Sequence, residues 1–159
     1  MNEVYLQLGS NIGNSKKQLL IAQDYLARKI GLLVAASSLY QTAAWGNSDQ
    51  PDFINQVIIL KSPLQAQDCI EQILEIEHDM GRVRTQKNAP RIIDIDILFF
   101  NKDIINCKDL IVPHPALPDR RFVLIPLNEL SPHFMHPVLK QTVHQMLLNC
   151  KDTLDVKKI

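Results

Sequence analysis

The sequence is short of the features that mark membrane, secreted and nucleic-acid-binding proteins. Its 17 basic and 17 acidic side chains cancel, so no overall positive field attracts nucleic acid or an anionic membrane. No apolar run approaches the roughly 20 residues that span a bilayer. The N-terminus also lacks the basic and then apolar pattern of a signal peptide. We therefore expect a cytoplasmic monomer without nucleic-acid or membrane partners.

Cysteine and glycine are scarce as well. The three cysteines, Cys69, Cys107 and Cys150, are widely spaced and form no CxxC pair, which excludes the usual zinc and redox motifs. No Walker A motif occurs, and the turn at residues 9–13 is not a dinucleotide-binding fingerprint. The chain is therefore not a P-loop enzyme by motif.

What is present is a globular pattern in which 46% of the residues are hydrophobic. Strands are predicted at residues 4–8, 32–40, 53–60 and 92–100, and helices at 16–30, 62–80, 121–130 and 141–148. Ser62 and Gln65 predict a capping box for the second helix, and Gly31 and Gly81 are predicted to end helices. The order strand, helix, strand, strand, helix, strand predicts an α+β sandwich with a mainly antiparallel sheet, in one domain over residues 1–159.

The fourth strand carries two carboxylates. Because side chains alternate along a strand, Asp94 and Asp96 point to one face, while Ile93, Ile95, Ile97 and Phe99 are predicted to point to the core. Two like charges on an apolar strand are unfavourable unless something positive compensates. A solvated face with salt bridges is one explanation; a magnesium site is the other, since magnesium takes one or two carboxylates and completes its shell with waters and phosphates.

The cations before this strand favour the second explanation. Arg82, Arg84, Lys87 and Arg91 precede the two aspartates, and arginine forks match phosphate oxygens. This combination predicts a site for a triphosphate with bound magnesium. His114, between two prolines, is either a phosphate donor or part of a structural turn.

A second kind of chemistry lies in the loop at residues 42–55. A flat heterocycle can stack on Trp45, Phe53 or the later Phe122, and be read by the polar side chains of Thr42 and Asn55. The alternative is that Phe53 and Phe122 belong to the core and that Trp45 anchors the loop.

Taken in order, these segments resemble the 6-hydroxymethyl-7,8-dihydropterin pyrophosphokinases of folate biosynthesis. The resemblance runs over nearly the whole chain. The motifs that carry it are LGSN (residues 8–11), YQT (40–42), DQPDFIN (49–55), Glu77 with GRVR (81–84), APRIIDIDI (89–97), VPHP (112–115) and RRF (120–122).

The resemblance implies a ferredoxin-like α/β/α sandwich with long, mobile catalytic loops. It implies transfer of the β,γ-pyrophosphate of ATP to the pterin alcohol, with release of AMP and with two magnesium ions held by Asp94 and Asp96. Arg82 and Arg91 are then catalytic cations together with those two aspartates. The implied ATP contacts are Glu77, Arg82, Arg84, Arg91, Ile97, His114 and Arg120. The implied pterin contacts are Thr42, Ala43, Trp45, Phe53, Asn55 and Phe122.

The chain departs from the family's pattern in two loops. Residues 85–89 contain no aromatic side chain where some members carry a tryptophan, so the implied cover of the pterin is missing there. Ala43 and Ala44 stand where prolines are common. Three alternatives remain open: a nucleotidyltransferase or phosphotransferase that uses the same carboxylates, a non-catalytic pterin- or nucleotide-binding module, and a nucleic-acid binder that uses the basic loop.

Overall fold

The computed structural model describes residues 1–44, 49–83 and 89–159. The strands are β1 (Asn2–Ser10), β2 (Leu32–Ala36), β3 (Tyr40–Thr42), β4 (Phe53–Ser62), β5 (Asp94–Phe100), β6 (Ile105–Cys107), β7 (Leu110–Val112) and β8 (Val156–Lys158). The helices are α1 (Ser15–Lys29), α2 (Ala66–Asp79), α3 (Arg121–Leu130) and α4 (Val143–Asn149), with a 3-10 turn at Leu117–Asp119.

Six strands form an antiparallel sheet in the order β5-β1-β4-β3-β8, and β2 pairs with β4 next to β3. The strands β6 and β7 form a separate antiparallel pair. The order β5, β1, β4, β2 with two crossover helices is the ferredoxin-like arrangement, so the predicted fold class is confirmed.

Helices cover both faces of the sheet. Buried leucine and isoleucine side chains of α1 and α2, such as Leu26 and Ile73, pack on one face against Leu6, Ile58 and their neighbours. The helices α3 and α4 pack on the other face around Phe99. The central strands β1 and β4 and most of β5 therefore bury both of their sides, and the partly exposed positions of β1 and β5 lie near one end.

A β-bulge in β5 makes one predicted facing wrong. Leu6 pairs with Ile97, but Tyr5 pairs with Phe99, so Leu98 is the extra residue. An extra residue reverses the alternation beyond it. Phe99 therefore packs on the α3 and α4 face and not beside Ile97 as predicted.

The start of α2 also differs from the prediction. Its N-cap residue is Gln65, which makes no side-chain capping bond. The Ser62 hydroxyl instead donates to the carbonyl of Ile30 at 2.6 Å and accepts from the backbone N–H of Leu64. Ser62 thus joins the end of α1 to β4, and the predicted capping box is absent.

The two glycines that follow helices play different parts. Gly81, with φ of +93°, completes a Schellman motif: its N–H donates to the carbonyl of His78, and Arg82 N–H donates to that of Glu77. Gly31 has no positive φ. Its role is a close approach, because a Cβ there would lie 2.1 Å from the carbonyl oxygen of Lys61.

The predicted second strand is two strands, β2 and β3, separated by residues 37–39. A further strand, β8, pairs with β3 at the edge of the sheet. The sequence patterns did not indicate this strand. Within the described residues, no helix is long and apolar enough to cross a membrane.

Gly31→Ala should reduce the free energy of unfolding by about 2–3 kcal/mol, since the new methyl group meets backbone that cannot swing away. Gly13→Ala is the matched control: φ is +68° there, but nothing lies within 4 Å of the added Cβ, so the loss should be about 1 kcal/mol. Urea unfolding of both variants measures the difference. Equal losses would show that the contact with Lys61 is easily relieved.

Candidate active site

The sequence-predicted carboxylates lie at one end of the sheet, next to polar residues of the neighbouring strand. In the antiparallel register Asp94 lies opposite Gly9, and Asp96 lies opposite Gln7. Gly9 also lies opposite Asn55 on the far side of β1. The register of three strands therefore brings together residues that are up to 89 positions apart in the chain.

Two arginines hold Asp94. An Arg82 nitrogen, Nη1, lies 2.9 Å from Asp94 Oδ1, and Arg91 Nη1 lies 3.1 Å from Asp94 Oδ2. The Schellman motif at the end of α2 points Arg82 towards β5. Both arginine side chains are largely buried, with exposed fractions of 11% and 19%, so these ion pairs are only partly screened by water.

Glu77 links the end of α2 to the same place. Its Oε2 accepts a hydrogen bond from the Ile95 backbone N–H at 2.8 Å and a second from Arg82 Nη1 at 2.6 Å. Glu77 is 2% exposed. A buried carboxylate with this pairing supports Arg82 and fixes β5, while the ATP contact implied for Glu77 stays a prediction.

Asp96 has less compensation than Asp94. Burial and the neighbouring charge of Asp94 raise the pKa of Asp96 to about 7, against a smaller opposite effect of Arg120. A carboxylate pair that is short of positive charge fits a hard divalent cation such as magnesium. Asp94 and Asp96 are the residues that would hold it, with waters and substrate phosphates as the remaining ligands.

A pocket opens between this end of the sheet and the start of α3. It combines aromatic, amide and charged side chains. Its lining includes Gln7, Gly9, Thr42, Ala43, Gln50, Phe53, Asn55, Arg91, Asp94, Arg120 and Phe122. Phe53 and Phe122 are both partly exposed in this lining, and Phe122 also packs against the core around Phe99. The alternative that places both rings in the core therefore holds in part for Phe122. Five of the six residues implied for the pterin are thus brought to one pocket.

An arginine lies beside each of these two rings. The guanidinium carbon of Arg91 is 5.5 Å from the Phe53 ring centroid, and that of Arg120 is 5.8 Å from the Phe122 centroid. Both distances are within the range of cation–π attraction. Arg91 therefore connects an aromatic wall of the pocket to the Asp94 carboxylate.

The amide of Asn55 is oriented by Gln7. Gln7 Nε2 donates to Asn55 Oδ1 at 3.0 Å and to the Leu8 carbonyl. Asn55 is 1% exposed, and its Nδ2 has no hydrogen-bond partner among the described residues. A buried N–H donor without a partner is unfavourable. Asn55 Nδ2 is therefore available to an acceptor on a ligand in the pocket.

The hydroxyl of Thr42 is already engaged. It donates to the backbone carbonyl of Asp155 at 3.1 Å, and Thr42 is 3% exposed. Any hydrogen bond from Thr42 to a ligand in the pocket is therefore left to its backbone.

A second cavity lies on the outer side of β5. Its lining includes Asp96, Ile97, Lys108, Asp109 and His114. Ile97 is 3% exposed and packs in the core, so its side chain offers at most a small apolar surface here. Sequence reasoning missed Lys108, a cation at the turn between β6 and β7.

One ring nitrogen of His114 carries a proton and can donate a hydrogen bond. Its Nδ1 accepts the backbone N–H of Ala116 at 3.1 Å, which leaves the proton of the neutral ring on Nε2. Burial, followed by the charge of Arg120, lowers the pKa of His114. His114 therefore takes part in a structural turn through Nδ1, and its role as a phosphate donor stays a prediction.

Asn11 was another residue that the sequence motifs contained without a role. Its Nδ2 donates to Gln50 Oε1 at 2.6 Å and to the Pro51 carbonyl, while its Oδ1 accepts from the Arg91 N–H. Asn11 therefore fixes the segments on either side of the pocket. The only available signal was a polar residue directly after an apolar strand. Trp45, Arg84 and Lys87, also predicted for the site, lie outside the described residues.

A carboxylate pair and arginines lie beside a pocket that fits a flat ring. This arrangement is typical of an enzyme that transfers a phosphorylated group to an aromatic acceptor. Residues 5–132 match the sequence model of 7,8-dihydro-6-hydroxymethylpterin-pyrophosphokinase (HPPK). The chain belongs to this family. The family that the sequence motifs implied is thereby confirmed.

Relatives of similar length carry the same description. The chain is 39% identical over 133 residues to the 2-amino-4-hydroxy-6-hydroxymethyldihydropteridine pyrophosphokinase of Methylorubrum extorquens, covering 83% of this chain and 84% of that one. It is 37% identical over 145 residues to the enzyme of that name from Aquifex aeolicus, covering 91% and 90%.

Other relatives are much longer. Folic acid synthesis protein FOL1 of Dictyostelium discoideum is 38% identical over 148 residues, which cover 93% of this chain but only 22% of that protein. Among solved structures, wild-type Plasmodium falciparum HPPK-DHPS with pteroate superposes with a TM-score of 0.76 at 19% identity, over 93% of this chain and 42% of that one. At that identity the likeness supports the fold alone.

The two aspartates should respond oppositely to neutralisation in magnesium-free buffer. Asp94→Asn breaks two partly buried ion pairs and should reduce the free energy of unfolding by about 2–3 kcal/mol. Asp96→Asn removes a charge that the fold disfavours, so at pH 8 it should raise Tm by about 3 °C or more.

The pH dependence provides the check. The folded pKa of Asp96, about 7, exceeds its ordinary value of 3.8. The folded state therefore binds more protons between these values, and this group's contribution to stability declines as pH rises from about 4 to about 7. Thermal melts of wild type and Asp96→Asn should coincide near pH 4 and separate progressively as pH rises to about 7. A constant difference across that range would contradict the assignment.

Proposed function

We propose that this chain transfers the β,γ-pyrophosphoryl group of ATP to the hydroxymethyl group of 6-hydroxymethyl-7,8-dihydropterin, giving AMP and the pterin diphosphate in folate biosynthesis. One observation carries the proposal. The pocket lined by Phe53, Asn55 and Phe122 is also lined by Asp94 and Arg91. An aromatic acceptor in this pocket has its reactive end beside the charged groups that handle phosphates.

The pterin ring is proposed to lie between Phe53 and Phe122. Offset stacking on these rings contributes affinity, and Asn55 Nδ2 donates to an acceptor on the edge of the ring. Gln7 keeps the Asn55 amide in the orientation that this donation requires. Ala43 borders the ring with its backbone, and Trp45 is proposed to cover it.

The nucleotide is proposed to occupy the cavity that contains Asp96 and His114, with its phosphates directed towards Asp94. His114 Nε2 and the cation of Lys108 are suited to donate to phosphate oxygens. Arg82 and Arg91, which hold Asp94, would exchange this carboxylate for phosphate oxygens. Arg84 and Arg120 are proposed to supply further contacts.

Asp94 and Asp96 are proposed to hold magnesium, as two ions. When bound, magnesium screens the phosphate charges and orients the β-phosphorus. The arginines released from Asp94 would then stabilise the negative charge that develops on the transferred group.

The chemistry needs position more than covalent participation. The hydroxymethyl oxygen attacks the β-phosphorus, the bond from the β-phosphorus to its α-bridging oxygen breaks, and AMP leaves. Stacking and the Asn55 contact fix the attacking oxygen, while the arginines fix the phosphorus. The enzyme is proposed to act as a cytoplasmic monomer.

The products distinguish this reaction from the alternative, a nucleotidyl or other phosphoryl transfer with the same carboxylates. Incubation with ATP, magnesium and the pterin alcohol should yield AMP and pterin diphosphate in equal amounts, measured by ion-exchange chromatography. Pyrophosphate release with an AMP-linked pterin would instead support nucleotidyl transfer. ADP formation would support transfer of a single phosphoryl group.

Asp94→Ala and Asp96→Ala should each reduce kcat by about 1000-fold, because each loses a ligand of the cation that screens the transferred phosphates. Asp103→Ala, in the exposed turn after β5, is the control and should retain wild-type kcat. Near-normal turnover in either site variant at saturating magnesium would remove that carboxylate from the metal site.

Gln7→Ala should raise KM for the pterin about fivefold and leave KM for ATP unchanged. The lost hydrogen bond frees the Asn55 amide to turn, which corresponds to about 1 kcal/mol of binding energy. Steady-state kinetics with each substrate varied in turn measure the two constants. A parallel rise of both would indicate a general disturbance of the sheet end.

A further inference from the structure

The last segment of the chain lies against both walls of the pocket. The family match ends at residue 132, whereas this segment comprises residues 152–158 and includes β8. It contacts β3, which leads into the pocket at Thr42 and Ala43. It also contacts the first residue of α3, which lies between the pocket residues Arg120 and Phe122.

The contact with the first wall is continuous. Residues Tyr40, Gln41 and Thr42 pair with Lys158, Lys157 and Val156 in antiparallel register. The hydroxyl of Thr42 adds a hydrogen bond to the carbonyl of Asp155 at 3.1 Å. The three residues of β3 are therefore fixed by the edge strand β8 on the side away from β4, at the point where the chain enters the pocket.

The contact with the second wall replaces a missing helix cap. The N-cap residue of α3, Arg120, makes no side-chain capping bond, and the first turn contains no acidic residue. Instead, Asp152 Oδ2 accepts the backbone N–H of Arg121 at 3.0 Å. A carboxylate at this position satisfies a helix N–H and complements the positive end of the helix dipole.

Asp152 is itself held in place. Its second oxygen, Oδ1, accepts the backbone N–H of Leu154 at 3.0 Å, two residues later in the chain. Only two residues therefore separate Asp152, which caps α3, from Asp155, whose carbonyl receives the Thr42 hydroxyl. A single short stretch of chain ties the Thr42 wall to the Phe122 wall.

We propose that residues 152–158 act as a positioning segment for the substrate pocket, with Asp152 as the positioning residue that places Arg120 and Phe122 opposite the β3 wall. Asp152 acts through the start of α3 and does not touch the substrate. The inference rests on the proposed function, because it assigns Phe122 to the pterin and Arg120 to the phosphates.

Steady-state kinetics of variants of the full chain test whether Asp152 positions Arg120 and Phe122. Asp152→Ala should raise KM for hydroxymethyldihydropterin about fivefold, the change that corresponds to loss of a capping bond of about 1 kcal/mol. Asp152→Asn should keep that KM within about twofold, since an asparagine oxygen caps a helix as well as aspartate does. Its amide nitrogen cannot accept the Leu154 N–H, so its Tm should still fall. Asp155→Ala is the matched control, because it removes a neighbouring exposed carboxylate and keeps the carbonyl that receives Thr42.

The comparison separates positioning from stability. A lower Tm in Asp152→Ala with an unchanged pterin KM would overturn the proposal, since the segment would then only stabilise the fold. An equal rise of pterin KM in Asp155→Ala would also overturn it. A rise in Asp152→Ala that Asp152→Asn reverses would support it.

Amide hydrogen exchange tests the positioning segment independently of the proposed reaction. In the ligand-free protein, the Arg121 amide should exchange faster in Asp152→Ala than in wild type or Asp155→Ala. If wild type forms no AMP and pterin diphosphate, the proposed function fails, and the exchange data still test the positioning segment. Unchanged exchange at Arg121 would overturn the segment while leaving the reaction intact.

Discussion

The repulsion between two carboxylates on one strand is the constraint on which the rest of the site depends. Asp94 and Asp96 lie on the same side of β5, and the fold compensates only the first of them fully. Two arginines neutralise Asp94, whereas the raised pKa of Asp96 records what is left uncompensated. The two carboxylates thus differ in how much positive charge faces them, although they lie only two residues apart on one strand.

The residue behind Arg82 is buried at the end of α2. Arg82 has a second carboxylate partner besides Asp94, because Glu77 also pairs with it. Glu77 also accepts the Ile95 N–H, so that strand β5 does not depend on the arginine. A carboxylate that is almost inaccessible to water is costly. Here the cost is offset by the hydrogen bonds that Glu77 accepts from Arg82 and from the Ile95 N–H.

The sequence predicted the parts of the site that act through charge or ring type. Asp94, Asp96, Arg91, Phe53 and Phe122 have recognisable chemistry at recognisable spacing, and alternation along one strand sufficed to orient the carboxylates. The order of strands and helices similarly predicted the layers of the fold, because hydrophobic periodicity reports which faces are buried.

The residues that were missed act through contacts between distant segments. Gln7 and Asn11 are ordinary polar residues whose importance arises from the amides and carbonyls that they meet across strands, which a local pattern does not contain. The strand β8 has only three residues and two lysines, so its composition gave no strand signal. The facing of Phe99 was wrong because a bulge adds a residue without changing the composition.

That bulge at Leu98 divides β5 into two parts with separate duties. Before it, alternate positions carry the carboxylates; after it, Phe99 and Tyr5 meet edge to face, with ring centroids 5.6 Å apart. Because Leu98 is an extra residue, the aromatic pair Phe99 and Tyr5 (the aromatic anchor) follows one pairing register with β1. The carboxylate end of β5 (the charged end) follows another. Substitutions that reshape the anchor can therefore accumulate over evolution without rotating the carboxylates, and the charged end can adapt without loosening the anchor.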